Sequence, residues 1–258
     1  MLEVRDITKV YNTGSVTEMT LFEHFSLTVD NGQFVSIVGS NGSGKTSLLN
    51  IICGSIPIDG GDVLVDGESI RRMKEYQRYA AIGRVYQDPA MGTCPNLTML
   101  ENLSLADNKG GRFGLSRGVN RKRVDFYRSE LAALGLGLED KLDVRMGSLS
   151  GGQRQAVALL MATLTPLKFL ILDEHTAALD PKTAEVIMEL TGRVVREKQL
   201  TAMMVTHNLR YAVEYGDRLL MMDQGHVVVD KAGEEKARTS TDELLQIFNR
   251  FSNGSPCQ

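Results

Sequence analysis

The residues best suited to chemistry lie in one short run, Gly39, Ser40, Asn41, Gly42, Ser43, Gly44, Lys45 and Thr46, with Ser47 directly after it. The run matches the G-x-x-x-x-G-K-[ST] pattern of a phosphate-binding loop in full. Glycines let the backbone curl until successive N–H groups face one point, and a helix opening at Lys45 and Thr46 aims its positive end at the same place. The Lys45 ammonium suits the outer phosphates of a nucleoside triphosphate, and the Thr46 hydroxyl suits Mg²⁺. Such a site also needs a carboxylate for the metal and a group that places the attacking water. Both are offered by Phe169-Leu-Ile-Leu-Asp173-Glu174, an apolar strand ending in two acids. Neighbours on a strand point to opposite sides, so the acids need not share a role. Asp173 suits the metal shell, and Glu174 is placed to polarise a water against the γ-phosphate.

These groups need rigid elements to hold them. Leu2 to Arg5 alternates in polarity, Leu21 to Val29 does so more loosely, and Phe34 to Val38 is an apolar run that reads as a strand buried on both faces. Helical spacing follows the loop from Ser47 to Cys53. Shorter strands are expected at Gly60 to Gly67 and Ile82 to Tyr86, then at Phe169–Leu172, Thr201–Val205, Arg218–Met222 and His226–Val229. Helical stretches lie between the later strands, notably Pro181 to Lys198, and strands alternating with helices imply a parallel α/β core. From about Asp88 to Leu149 helical segments with basic and glycine-rich joints suggest an inserted helical subdomain. Thr241 to Phe251 carries Leu244, Leu245, Ile247, Phe248 and Phe251 at amphipathic spacing, a helix expected to pack on the chain's own core.

Composition narrows the partners. The chain has 258 residues, with 29 Lys and Arg against 32 Asp and Glu, so no global field draws it onto nucleic acid or anionic lipid. Cys53, Cys94 and Cys257 lack metal-site spacing and make no disulfide framework, which fits a reducing compartment. The uncharged stretch Ala156 to Leu167 spans 12 residues and the longest, Asn31 to Gly44, spans 14, both short of the ~20 a membrane helix needs. Twenty of the 25 glycines fall within the first 152 residues, as though loops there needed bare backbone.

Beyond the phosphate loop the chain resembles the ATP-binding-cassette (ABC) ATPases. Ser150-Gly151-Gly152-Gln153, inside Leu149-Ser-Gly-Gly-Gln-Arg-Gln155, is similar to the family's signature sequence and sits between the phosphate loop and the Asp173-Glu174 strand, as that family places it. A serine and two glycines opening a helix make a second anion site. In the family it serves the nucleotide of the opposite subunit, which implies a head-to-tail homodimer with two ATP molecules between the chains. By the same resemblance Gln87 looks like the glutamine that contacts Mg²⁺ and the water, and His207 like the histidine that bonds the γ-phosphate. Ala178-Leu179-Asp180 resembles the loop that crosses the dimer interface, and Tyr11 the aromatic that stacks on adenine. The resemblance covers essentially residues 1–230.

It implies an α/β fold: a P-loop NTPase core with a parallel sheet, an N-terminal antiparallel β-subdomain and a helical subdomain inserted at about 88–150. The whole cassette would span 1–235, with a C-terminal amphipathic helix and tail at 236–258. One position departs from the usual pattern, His175 standing where most members have proline. It reads either as a titratable group beside Glu174 or, the favoured view, as a loop residue that merely tolerates the change. A version with histidine here is similar to a branch whose permeases resemble amino-acid importers.

The expected function is that of a cytoplasmic ATPase subunit, peripheral on the cytoplasmic face of the inner membrane. It would be docked to separate permeases and, for an importer, served by an extracytoplasmic substrate-binding protein. Export, or extrusion of lipid or lipoprotein, is the alternative. A soluble nucleic-acid-acting ATPase is disfavoured by the acidic balance and by a single cassette without coiled coil or zinc module. Arg112, Arg117, Arg121, Lys122, Arg123 and Arg128 form a basic stretch in the insert, read as a solvated helix face.

Overall fold

The computed structural model describes residues 1–109, 111 and 118–252, with side chains through residue 250. Arg112, Arg117, Cys257 and the Phe251 side chain lie outside the described residues. In chain order the first elements are β1 (Leu2–Tyr11), β2 (Met19–Val29), β3 (Phe34–Gly39), α1 (Lys45–Cys53), β4 (Gly60–Val65), β5 (Glu68–Ser69) and α2 (Glu75–Arg78). Then follow β6 (Ile82–Val85), α3 (Met99–Asp107), α4 (Val124–Ala133), α5 (Gly151–Thr163), β7 (Phe169–Asp173) and α6 (Pro181–Glu197). The chain finishes with β8 (Ala202–Val205), α7 (Leu209–Glu214), β9 (Arg218–Asp223), β10 (His226–Ala232), α8 (Gly233–Arg238) and α9 (Thr241–Ser252). It divides into two compact units, Met1–Tyr79 together with the chain from Lys198, and Ala80–Glu197.

The first unit carries two sheets. One is antiparallel, in the order β2-β1-β4-β5. In the other, β3 lies between β9 and β8 and runs parallel to both, while β10 closes the β9 edge antiparallel. Every residue of β3 is buried, as its unbroken apolar run predicts for a central parallel strand. Ile37 is level with Val205 on one side and Leu220 on the other, so the chain leaves β3 and β8 at the same edge. That C-terminal edge is where parallel sheets bind ligands. Beneath the loop, α1 buries Leu48, Leu49, Ile51 and Ile52. Its last carbonyls, on Ile51 and Ile52, accept from the buried Arg78 guanidinium at 2.8 and 3.0 Å, a charge that also suits a helix C-terminus.

In the second unit β6 and β7 form a parallel pair with Val85 level with Leu172, so Gln87 and Glu174 each lie two residues past that level. The helices α3 to α6 belong to this unit, and α5 and α6 pack against each other. Two cations of the basic stretch have acidic partners: Arg123 pairs with Asp107 at 2.7 Å and stacks on Phe126, and Arg128 faces Asp125 at 3.6 Å.

The C-terminal helix α9 packs on the core of the first unit, as its apolar spacing predicts. Leu244 is fully buried with Val38, Ala212, Leu219 and Met221, and Ile247 and Phe248 pack against the same cluster. Leu245, on the other face, is 47% exposed. Truncating a leucine in such a site costs the transfer of its methyl groups plus a cavity. Leu244→Ala is therefore expected to destabilise the chain by about 3 kcal/mol in urea unfolding, and Leu245→Ala by less than about 0.5 kcal/mol. Equal losses at the two positions would mean that α9 does not dock as described.

Candidate functional site

The phosphate loop is built by a strand that must stop abruptly. Gly39 ends β3 with φ 153°, and a Cβ there would lie 2.1 Å from the Met222 carbonyl oxygen on β9, so glycine is obligatory. The loop is then pinned from the β9 end: the Ser40 hydroxyl donates to Asp223 at 3.0 Å, and the Gly225 N–H donates to the Ser43 carbonyl at 3.0 Å. Inside the curl, the buried Lys45 ammonium donates to the carbonyls of Gly39 and Ser40, both at 2.8 Å, and to the Ser43 hydroxyl at 3.3 Å. Gly44 caps α1 without a side chain, so the first N–H groups of the helix open onto the loop. Asn41, Gly42 and Thr46 are exposed along the rim. The Tyr11 hydroxyl stands 3.5 Å from the Ser47 hydroxyl, placing the end of β1 beside the loop. Thr206 donates its N–H to the Ile37 carbonyl at 3.1 Å, which brings exposed His207 to the C-terminal edge that carries the loop. The Asn208 side chain caps α7 just beyond it.

The second unit gathers the other candidates. Asp173 ends β7 and accepts from the Arg84 guanidinium at 2.6 Å, with their side chains only 13% and 6% exposed. Removing one partner of such a pair strands a buried charge, at about 3–5 kcal/mol. Arg84 also stacks over the Tyr86 ring at 4.7 Å, and the Tyr86 carbonyl accepts from Gln155 on α5 at 3.0 Å. The signature helix is thus tied to the segment that carries exposed Gln87. Glu174 takes φ 48°, a left-handed conformation that costs a non-glycine residue roughly 1–2 kcal/mol. Its carbonyl accepts from the Ala177 N–H at 2.9 Å, closing a tight turn. Asp180 caps α6, and bonds from Thr183 hold its carboxyl below the usual carboxylate range.

Ser150 opens α5 through a capping box: its hydroxyl accepts from the Gln153 N–H at 3.3 Å while the Gln153 side chain accepts from the Ser150 N–H at 3.3 Å. Gly151 is exposed beside it. Gly152 is buried, because a Cβ there would meet the Thr183 methyl of α6 at 2.2 Å.

One expectation is corrected. His175 is not a loop residue that merely tolerates its place: it is 1% exposed, and its Nε2 lies 3.0 Å from the Thr191 hydroxyl of α6. Burial pushes its pKa down to about 4. Arg84, Asp223 and Gln155 also belong to the site, although none is among the candidates that the motifs supply. Two left a signal, since Arg84 is a lone cation in an apolar strand, and Asp223 ends Arg218–Met222 as Asp173 ends Phe169–Leu172. Gln155 left none.

The residues present fit a magnesium nucleotide. An ammonium held by the Gly39 and Ser40 carbonyls beside exposed backbone N–H groups suits polyphosphate, and the Thr46 hydroxyl in the first unit and the Asp173 carboxylate in the second are each hard oxygen donors of the kind Mg²⁺ prefers. The sequence profile of ABC transporters matches residues 22–177. A tyrosine transport ATP-binding protein of Clostridioides difficile (strain R20291) is 45% identical over 248 residues, covering 96% of this chain and 98% of that protein. The thiamine import ATP-binding protein ThiQ of Vibrio parahaemolyticus is 36% identical over 88% of this chain and 92% of its own. Among solved structures, a dimeric ATP-binding cassette in a post-hydrolysis state, bound to ADP and Pi, superposes with TM-score 0.75 at 30% identity, covering 90% of this chain and 98% of that one. A phosphate loop of this geometry, within a likeness that spans nearly the whole chain, shows that the chain belongs to the ABC transporter family as an ATP-binding, ATP-hydrolysing subunit.

Proposed function

We propose that this chain powers solute import, hydrolysing Mg-ATP as a head-to-tail homodimer on the cytoplasmic face of a membrane and driving separate permease subunits, with an extracytoplasmic binding protein delivering cargo. The observation that carries the reading is the buried Lys45 ammonium inside an intact phosphate loop. Import is supported by the stated role of the thiamine relative, and dimerisation by the dimeric state of the solved cassette. The tyrosine transport relative, at 45% identity, favours an aromatic amino acid as cargo. Among the described residues no helix is long and apolar enough to cross a membrane, so partner subunits supply the path.

In the proposed cycle the N–H groups of residues 42–46 and the Lys45 ammonium hold the β- and γ-phosphates, and Tyr11 stacks on the base. Thr46, Asp173 and Gln87 would hold Mg²⁺, which neutralises phosphate charge when bound. Glu174 takes a proton from the attacking water, and His207 bonds the γ-phosphate. Ser150, Gly151, Gly152 and Gln153 present their helix N-terminus to the nucleotide of the opposite subunit. Closure on ATP and reopening after hydrolysis move the helical segments, and the permease follows.

Glu174→Gln is expected to bind ATP normally, to hydrolyse it at least ~10²-fold more slowly, the scale of a lost general base, and to accumulate as an ATP-bound dimer in size-exclusion chromatography. Near-normal turnover would remove Glu174 from that role. Lys45→Ala is expected to lose affinity for a fluorescent ATP analogue; unchanged affinity would count against the phosphate loop as the binding element. Deleting the chain from its host should abolish ATP-driven uptake of labelled tyrosine, and unimpaired uptake would exclude that cargo.

A further inference from the structure

His175 is buried directly after Glu174, and the partner of its ring is unambiguous. The Thr191 hydroxyl donates its single proton to the Ile187 carbonyl at 2.7 Å, one helical turn back on α6. It can therefore only accept from the imidazole 3.0 Å away, which assigns the proton to His175 Nε2. The ring is a bolt between the Glu174 turn and α6, the longest helix among the described residues, which buries Ile187, Met188, Leu190 and Val195. Glu174 itself stands at φ 48°, a conformation that persists only where the surroundings over-determine it. Two constraints flank it: on one side the Arg84 pair with Asp173, on the other the His175 bolt.

We propose that His175 is a positioning residue for hydrolysis, its hydrogen bond to Thr191 holding the Glu174 backbone in the left-handed conformation that aims the carboxylate at the attacking water. This rests on Glu174 acting as the base. With the bolt removed, Glu174 relaxes toward ordinary backbone angles and its carboxylate moves by more than the tolerance of proton transfer, where small misplacements carry large rate penalties. The loop then still binds ATP, because its own anchors at Asp223 and Gly225 are untouched.

The test measures single-turnover ATP hydrolysis by the full chain for His175→Ala, His175→Gln and Thr191→Val, each also in the Glu174→Gln background. Thr191→Val keeps the side-chain volume if His175→Ala folds poorly, and circular dichroism checks folding in every variant. The expected result is that His175→Ala and Thr191→Val each slow hydrolysis about tenfold, a fraction of the full general-base effect, with half-saturating ATP unchanged within about twofold. The His175→Ala and Thr191→Val changes combined in one chain should be no slower than either alone. His175→Gln, whose amide nitrogen can replace Nε2 as donor, should recover most of the rate. In the Glu174→Gln background none of these changes should slow the residual reaction further, because there is no base left to position. Equal losses in both backgrounds would show a merely structural role and overturn the proposal, as would unchanged rates in folded single variants. Near-normal turnover by Glu174→Gln alone would overturn the base reading and this proposal together. An inactive Glu174→Gln beside an unaffected Thr191→Val would overturn this proposal only.

Discussion

A buried ammonium is costly unless every proton it carries finds an acceptor. Lys45 solves that problem with the chain's own backbone, donating at 2.8 Å to the carbonyls of Gly39 and Ser40. The architecture of the first unit follows from this constraint. The carbonyls can face inward only if the strand before them ends without a side chain, which the approach of Met222 to Gly39 enforces. The curl stays open only if it is held from outside, and the end of β9 does so through Asp223 and Gly225. Sheet order matters for the same reason: β9 must lie beside β3 for those anchors to reach the loop.

The second unit faces the complementary problem, a largely buried carboxylate at a strand end that needs a charged partner. Arg84 answers it, and the same guanidinium reaches the Tyr86 ring, whose backbone is tied by Gln155 to the signature helix. Asp173, the Gln87 segment and the Ser150 helix are thus joined by contiguous polar and stacking contacts within one unit. Energetically this is a stiff arrangement, because a buried pair or a satisfied buried amide is costly to break. Stiffness of that kind is what a device needs if nucleotide chemistry in one place is to be felt as helix movement in another.

The division of labour also has a physical basis. Nothing in these anchors is particular to a transported solute: backbone N–H groups, serine hydroxyls and an ammonium suit phosphate, while the carbonyls and carboxylates hold those groups in place. Chains similar to this one bear names attached to tyrosine and to thiamine, at 45% and 36% identity, over the same nucleotide-binding frame. The anchors described in this chain do not by themselves distinguish one cargo from another.

The sequence alone determined the chemistry and the order of elements, because both are written in local pattern. A full phosphate loop between an apolar strand and a helix, two acids ending Phe169–Leu172, and an amphipathic run at Thr241–Phe251 all depend on neighbours in the chain. The loop helix begins at Lys45, as the loop pattern places it, and β6 stops at Val85 rather than Tyr86, a small difference at an end where propensity is weakest. Tertiary structure alone decided which side chains hold the chemical ones in place. Arg84 to Asp173 is a separation of 89 residues, Ser40 to Asp223 of 183, and His175 to Thr191 of 16 across a turn and about three turns of helix. No periodicity reports such pairings. They exist because strands far apart in sequence run side by side, and because burial leaves a polar group no partner but the one packing brings to it. His175 shows the difference most clearly: its type marked it as unusual, while only its burial against α6 revealed a bond to Thr191.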